Sequence, residues 1–109
     1  MPNESTTAVE DNNQFIPVNG FALLQNYPNP FNPSTRIQYQ VTSFSHVSLK
    51  VYDVLGNEIA TLVDEYKPAG IYEVEFNSVS SIQNLTSGIY FYQLKAGDFV
   101  QSKKMIFLK

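Results

Sequence analysis

The sequence predicts an all-β domain, an immunoglobulin-like antiparallel β-sandwich of about seven strands. Three observations predict it. From Arg36 onward apolar side chains recur at every second position, and no stretch has the 3.6-residue recurrence of an amphipathic helix. Turn signals interrupt that alternation roughly every ten residues, the spacing of short strands in a sandwich or barrel. The composition, with Tyr 7, Phe 8 and no Trp, favours residues that fit a pleated, half-buried surface. The 109 residues allow one core and a tail, near the ~100 residues of an immunoglobulin-like domain. Closure into a barrel is the weaker alternative.

Residues 1–20 are rich in Asn, Glu, Ser and Thr, with few sizeable apolar side chains, and read as a disordered linker; the folded domain is expected over residues 21–109. Phe21 to Leu24 reads as a short first strand. Asn26 to Thr35 (NYPNPFNPST) follows, three prolines and three asparagines around two aromatic rings. Each proline fixes its own φ, lacks an N–H and pushes Tyr27, Asn29 or Asn32 out of the α region, so the stretch is extended or turning. Tyr27, Phe31 or both are expected to pin it to a core. A polyproline-type docking site for a partner is the alternative.

Ile37, Tyr39 and Val41 then alternate with Arg36, Gln38 and Gln40 as a half-buried strand, broken at Thr42 to Ser45. His46 to Asp53 places Val47, Leu49 and Val51 inward, with Tyr52 on the outer face. Asp53-Val54-Leu55-Gly56 has Asp at the first and Gly at the fourth position of a type I turn, which closes a hairpin into Glu58 to Val63. Asp64 to Gly70 reads as a polar turn. Ile71 to Phe76 sets Tyr72, Val74 and Phe76 against Glu73 and Glu75. Asn77 to Ser87 is a Ser/Asn-rich crossover with Ile82 and Leu85 as plugs. In Gly88 to Ala96 both faces are apolar at first, Tyr90, Tyr92 and Leu94 on one and Ile89 and Phe91 on the other, which suggests a central strand. Gly97-Asp98 is a two-residue hairpin loop with Gly first. Phe99 to Leu108 forms the last strand, ending Met105-Ile106-Phe107-Leu108, apolar on both faces. No internal repeat is read.

Charge and cysteine content exclude several function classes. The net charge of -3 resides in residues 1–20, through Glu4, Glu10 and Asp11, so the domain itself is neutral and offers no field for tracking phosphates; nucleic-acid binding is not expected. No run approaches the ~18 apolar residues of a membrane span. Zero cysteines remove disulfides, thiolate metal sites and cysteine nucleophiles together.

Candidate chemistry is sparse, and the chain is not expected to be an enzyme. The single histidine, His46, stands beside no nucleophile motif and cannot supply a multi-histidine metal site. Glu73 and Glu75 share a strand face as paired carboxylates would, or form a solvated outer face. Calcium has candidate oxygens at Asp53, Asn57 and Glu58, or at Asp64 and Glu65, without EF-hand spacing. Tyr72, Tyr90 and Tyr92 make a sugar-stacking platform or a core stripe. No cofactor is expected.

Five motifs in order resemble one family: Tyr27-Pro-Asn-Pro-Phe-Asn-Pro, Val51-Tyr-Asp-Val-Leu-Gly56, Pro68-Ala-Gly70-Ile-Tyr72, Gly88-Ile-Tyr-Phe-Tyr92 and Lys103-Lys104-Met105. Together they are similar to the C-terminal sorting domain of type IX secretion cargo, the type A signal of the Por secretion system. The resemblance covers roughly residues 21–109. It implies an immunoglobulin-like sandwich behind a covalently linked upstream passenger, for which residues 1–20 would be the linker. It implies partners among type IX translocon components, an outer-membrane shuttle protein and a sortase-like protease, with transit through the periplasm and then exposure at the cell surface or secretion. It maps the terminal signal onto Gly88, Ile89 and Tyr90 and onto Lys103, Lys104, Met105, Ile106, Phe107, Leu108 and Lys109. Two readings of this last strand stay open: recognition by the translocon, with edge pairing, or lysines guarding an edge while Phe107 and Leu108 complete the core. Two alternatives are an immunoglobulin-like scaffold domain of the flagellar hook-cap type, which shares the Asn-Pro-Phe-Asn-Pro entry and the Val-Tyr-Asp-x-x-Gly hairpin, and a carbohydrate-binding module of a secreted glycosidase.

Overall fold

The computed structural model describes residues 20–79 and 85–109, in seven antiparallel strands. They are β1 (Ala22–Leu23), β2 (Ser34–Val41), β3 (Ser45–Tyr52), β4 (Glu58–Lys67), β5 (Gly70–Asn77), β6 (Gly88–Ala96) and β7 (Phe99–Phe107). Two sheets face each other, one in the order β1-β2-β5 and the other in the order β4-β3-β6-β7. β6 is central, as expected.

The period-two alternation sends one side chain in two to the space between the sheets. From the first sheet these are Leu23, Ile37, Tyr39, Val41 and Phe76; from the second, Val47, Leu49, Val51, Tyr90, Tyr92, Leu94, Ala96, Met105 and Phe107. Phe31 and Leu85 close the core from the connecting segments. The β3–β4 turn forms as its residue types dictate: Gly56 N–H donates to Asp53 O at 3.0 Å.

One expectation is corrected, and others become more specific. Asp64 to Lys67 is not a turn but the second half of β4, held by pairing Ser45 with Lys67 and His46 with Tyr66. An exposed edge strand tolerates this polar composition, and the turn itself is confined to Pro68 and Ala69, where proline cannot continue a ladder. Of the two rings of which one or both were expected to pin the proline stretch, Phe31 does so at 1% exposure, while Tyr27 is 76% exposed. A backbone bridge to Arg36 holds Tyr27 instead, its N–H donating to Arg36 O at 2.9 Å. Although β6 is central, its second face is not buried, since Ile89 and Phe91 lie on the solvent side of the sheet. Finally, a short motif recurs. In Pro68-Ala-Gly-Ile-Tyr72 and Thr86-Ser-Gly-Ile-Tyr90 each tyrosine hydroxyl donates to the carbonyl four residues earlier, Pro68 O at 2.6 Å and Thr86 O at 2.7 Å. At the first glycine a Cβ would lie 3.4 Å from the Tyr72 ring; the second has φ +152°, which an L side chain rarely adopts. Residues 1–19 and Ile82 lie outside the described residues.

Candidate recognition surface

Strand pairing brings the two halves of the expected signal together. In the β6–β7 ladder Gly88 faces Phe107, Ile89 faces Ile106 and Tyr90 faces Met105, so residues far apart in sequence form one block at one end of the sandwich. Alternation then divides them. Tyr90, Met105 and Phe107 are buried, whereas Ile89, Lys104, Leu108 and Lys109 are exposed and Gly88 and Ile106 are half-buried. Lys103 and Lys104 point to opposite faces: Lys104 lies opposite Phe91 on the solvent side, while Lys103 lies opposite buried Tyr92 with inward parity. A charge of that parity on an outermost strand deters a further strand from docking.

The outer edge of β7 is already covered, and the proline–asparagine stretch covers it. Lys104 O accepts from Gln25 Nε2 at 2.8 Å, and Ile106 N–H donates to Asn29 Oδ1 at 2.9 Å. Ile106 O accepts from Phe31 N–H at 2.9 Å, and Leu108 N–H donates to Phe31 O at 3.1 Å. Lys109 N–H donates to Ser87 Oγ at 2.7 Å. The edge from Lys104 to Leu108 is therefore closed to pairing with another strand, and what this end offers a partner is its outer face.

That face carries Ile89, Phe91 and Ile106 with Lys104 among them, and Tyr52 lies opposite Phe91 on β3. Beside it an open depression of about 330 Å³ runs between the turn residues Asp53, Val54 and Leu55 and the segment Leu85 to Tyr90. Val54 and Leu55 project into solvent there. Asp53 shapes the turn: its Oδ1 accepts from Leu55 N–H and Asn57 N–H, both at 2.9 Å, and its Oδ2 accepts from Asn57 Nδ2 at 3.2 Å. These bonds, that from the Asn57 backbone foremost, hold its carboxyl below the usual carboxylate range. Both Asp53 oxygens are thus engaged by the turn, and Glu58 accepts from Thr61 and pairs with Lys50 at 3.4 Å. Among the described residues no three His, Asp or Glu side chains gather.

The other candidates are placed as follows. His46 Nε2 lies 3.0 Å from Asp64 Oδ1. Glu73 and Glu75 face solvent, Glu73 3.4 Å from Arg36 Nε. Tyr90 and Tyr92 are in the core and Tyr72 stacks on Tyr39 with centroids 5.4 Å apart.

Sequence reasoning missed the polar network that fastens the proline stretch. Tyr92 reaches out of the core to donate to Leu24 O at 2.8 Å and accept from Asn26 N–H at 2.7 Å. Burial pushes its pKa up, against the lowering effect of the Asn26 bond. Asn26 Nδ2 in turn donates to Thr35 Oγ1 at 2.9 Å and to Pro28 O at 3.1 Å. Asn26 and Thr35 are both buried. The available signal was the concentration of asparagines between prolines, side chains that bond backbone groups a proline-rich chain leaves unpaired.

A family model described as the secretion system C-terminal sorting domain matches residues 25–108. The match begins at Gln25, whose side chain donates to Lys104 O on β7, and takes in β2 through β7. No curated protein and no solved structure matches the chain. The chain belongs to the family of type IX secretion C-terminal sorting domains, which places it in export to the cell surface or secretion through the type IX system.

Proposed function

We propose that the outer face at the Gly88–Lys109 end is the surface by which the type IX machinery reads this domain. The observation that carries the reading is the pairing of Gly88–Tyr90 with Met105–Phe107, which commits Tyr90, Met105 and Phe107 to the core and leaves Ile89, Lys104, Ile106, Leu108 and Lys109 for contact. The fold supplies rigidity, so a partner binds a surface that is already ordered. The domain acts by being bound and not by catalysis. Its partners are translocon components and an outer-membrane shuttle met in the periplasm. A sortase-like protease then removes it from the covalently linked passenger and attaches that cargo at the surface.

The test is a secretion assay. The chain is fused behind a periplasm-targeted fluorescent reporter in a type IX-competent bacterium and in a translocon-null strain. Reporter reaches the surface or medium only in the competent strain, and there it has lost the domain. Ile89→Ser with Lys104→Glu leaves the purified domain folded and holds the reporter in the periplasm. Undiminished export of that folded variant overturns the assignment of the surface. Deleting residues 105–109 is a poor test, because it removes two core side chains, Met105 and Phe107, along with Lys109.

A further inference from the structure

We infer that the opposite pole of the sandwich carries a binding platform for a neutral saccharide, built on Phe44 and Tyr66 and edged by His46 and Asp64. Phe44 lies in the β2–β3 loop and Tyr66 on β4. Their rings stack with centroids 5.4 Å apart and planes 12° from parallel, yet they remain 69% and 63% exposed. His46, opposite Tyr66 in the ladder, meets its ring edge-on at 5.1 Å and is itself held by Asp64 at 3.0 Å. The three rings therefore fix one another, and little side-chain freedom remains to be lost on binding.

A pyranose presents a flat C–H face bordered by hydroxyls. An aromatic face attracts the C–H groups by dispersion and through its quadrupole, and polar atoms at the ring edge hold the hydroxyls. Three such atoms border this stack without a partner among the described residues: the Tyr66 hydroxyl, His46 Nδ1 and Asp64 Oδ2. The local charge selects a neutral sugar. Glu65 already holds the Lys67 ammonium at 2.8 Å, so β4 offers the platform the Asp64 carboxylate and no unengaged cation with which to hold a uronic acid. A protein partner fits less well, because two rings bordered by Ser43, Ser45 and Asp64 fall far short of the ~800 Å² per side that a stable interface buries. The eight residues of β3 separate this pole from Gly88 and Phe107 by about 25 Å, so both ends can be engaged together.

The test titrates the isotope-labelled 109-residue chain with cellohexaose, mannohexaose or an oligogalacturonate, reading backbone amide shifts. A neutral hexaose is expected to shift residues 43–48 and 64–67, the oligogalacturonate to shift none. Tyr66→Ala, with an otherwise unchanged amide spectrum, weakens binding by about tenfold. No shift with either neutral hexaose at millimolar concentration, shifts elsewhere on the domain, or equal binding by folded Tyr66→Ala overturns the inference. So does a concentration-dependent sedimentation coefficient that Phe44→Ala abolishes, which makes the platform a contact between copies of the chain. Export of the fused reporter is unchanged in Phe44→Ala and Tyr66→Ala, which separates this site from the sorting surface.

Discussion

Phe31 and Phe107 are joined through backbone and ring at once. They form a parallel bridge, with Phe31 N–H donating to Ile106 O and Leu108 N–H donating to Phe31 O, and their ring centroids lie 5.2 Å apart. The Phe31 ring also meets Phe76 of the opposite sheet edge-on at 5.9 Å. One residue of the proline stretch thus covers the edge of one sheet and packs against the other.

Phe31→Ala is expected to destabilise the domain by about 3–5 kcal/mol, the usual cost of truncating a buried phenylalanine. Tyr27→Ala, four residues earlier in the same motif, should change stability by less than about 0.5 kcal/mol. Urea unfolding of both variants decides this; equal losses would mean that Tyr27 carries packing its exposure does not show.

Strand existence and facing were legible because period-two alternation is a local property. Val47, Leu49 and Val51 are predicted inward and are fully buried, and the Asp53–Gly56 turn forms as its residue types require. What was not legible is non-local. Nothing in Asp64-Glu65-Tyr66-Lys67 announces a strand, because its pairing depends on Ser45 and His46 lying alongside. Ile89 and Phe91 have the composition of a buried face but the position of an exposed one, and alternation cannot tell which face of a sheet another layer covers. At the candidate surface the motifs were legible. Their division into core and contact residues required the β6–β7 register.

Tyr92→Phe keeps the ring and removes a hydroxyl that serves both Leu24 O and Asn26 N–H. With those buried backbone groups left unpaired, the loss should be about 1–3 kcal/mol. Tyr90→Phe removes a single bond, to Thr86 O, at a less enclosed site and should lose about 0.5–1.5 kcal/mol. Thermal unfolding followed by circular dichroism gives both values. An order reversed from this one would show that the Asn26 network contributes little.

The carboxyl of Asp53 should titrate below its usual value near 4, in a carboxyl-detected magnetic resonance experiment. Because the folded value is the lower one, its contribution is complete above the unfolded pKa and is lost as pH falls through the folded pKa. The unfolding midpoint of Asp53→Asn should therefore lie closest to that of the parent at low pH and diverge above about pH 4. A constant difference across that range contradicts the role of the charge.

Adjacent positions on β7 should separate stability from recognition. Met105→Ala is expected to destabilise by about 2–5 kcal/mol, since its side chain is fully buried. Lys104→Glu, on the outer face, should leave the denaturation midpoint within about 0.5 kcal/mol of the parent while reducing export of a fused reporter. Export that tracks stability alone across the two variants argues against a contact at Lys104.

The parallel sense of the Phe31–Phe107 bridge gives the domain a mechanical axis. When the chain is drawn by its two ends, the segment before Phe31 and the segment after Phe107 are pulled in opposite directions along neighbouring parallel stretches. The load falls on their hydrogen bonds in shear, so the bonds resist together instead of opening one at a time like a zipper. A passenger dragged behind a domain held by its last strand would tension the fold across this bridge, where ring packing and main-chain bonds act side by side.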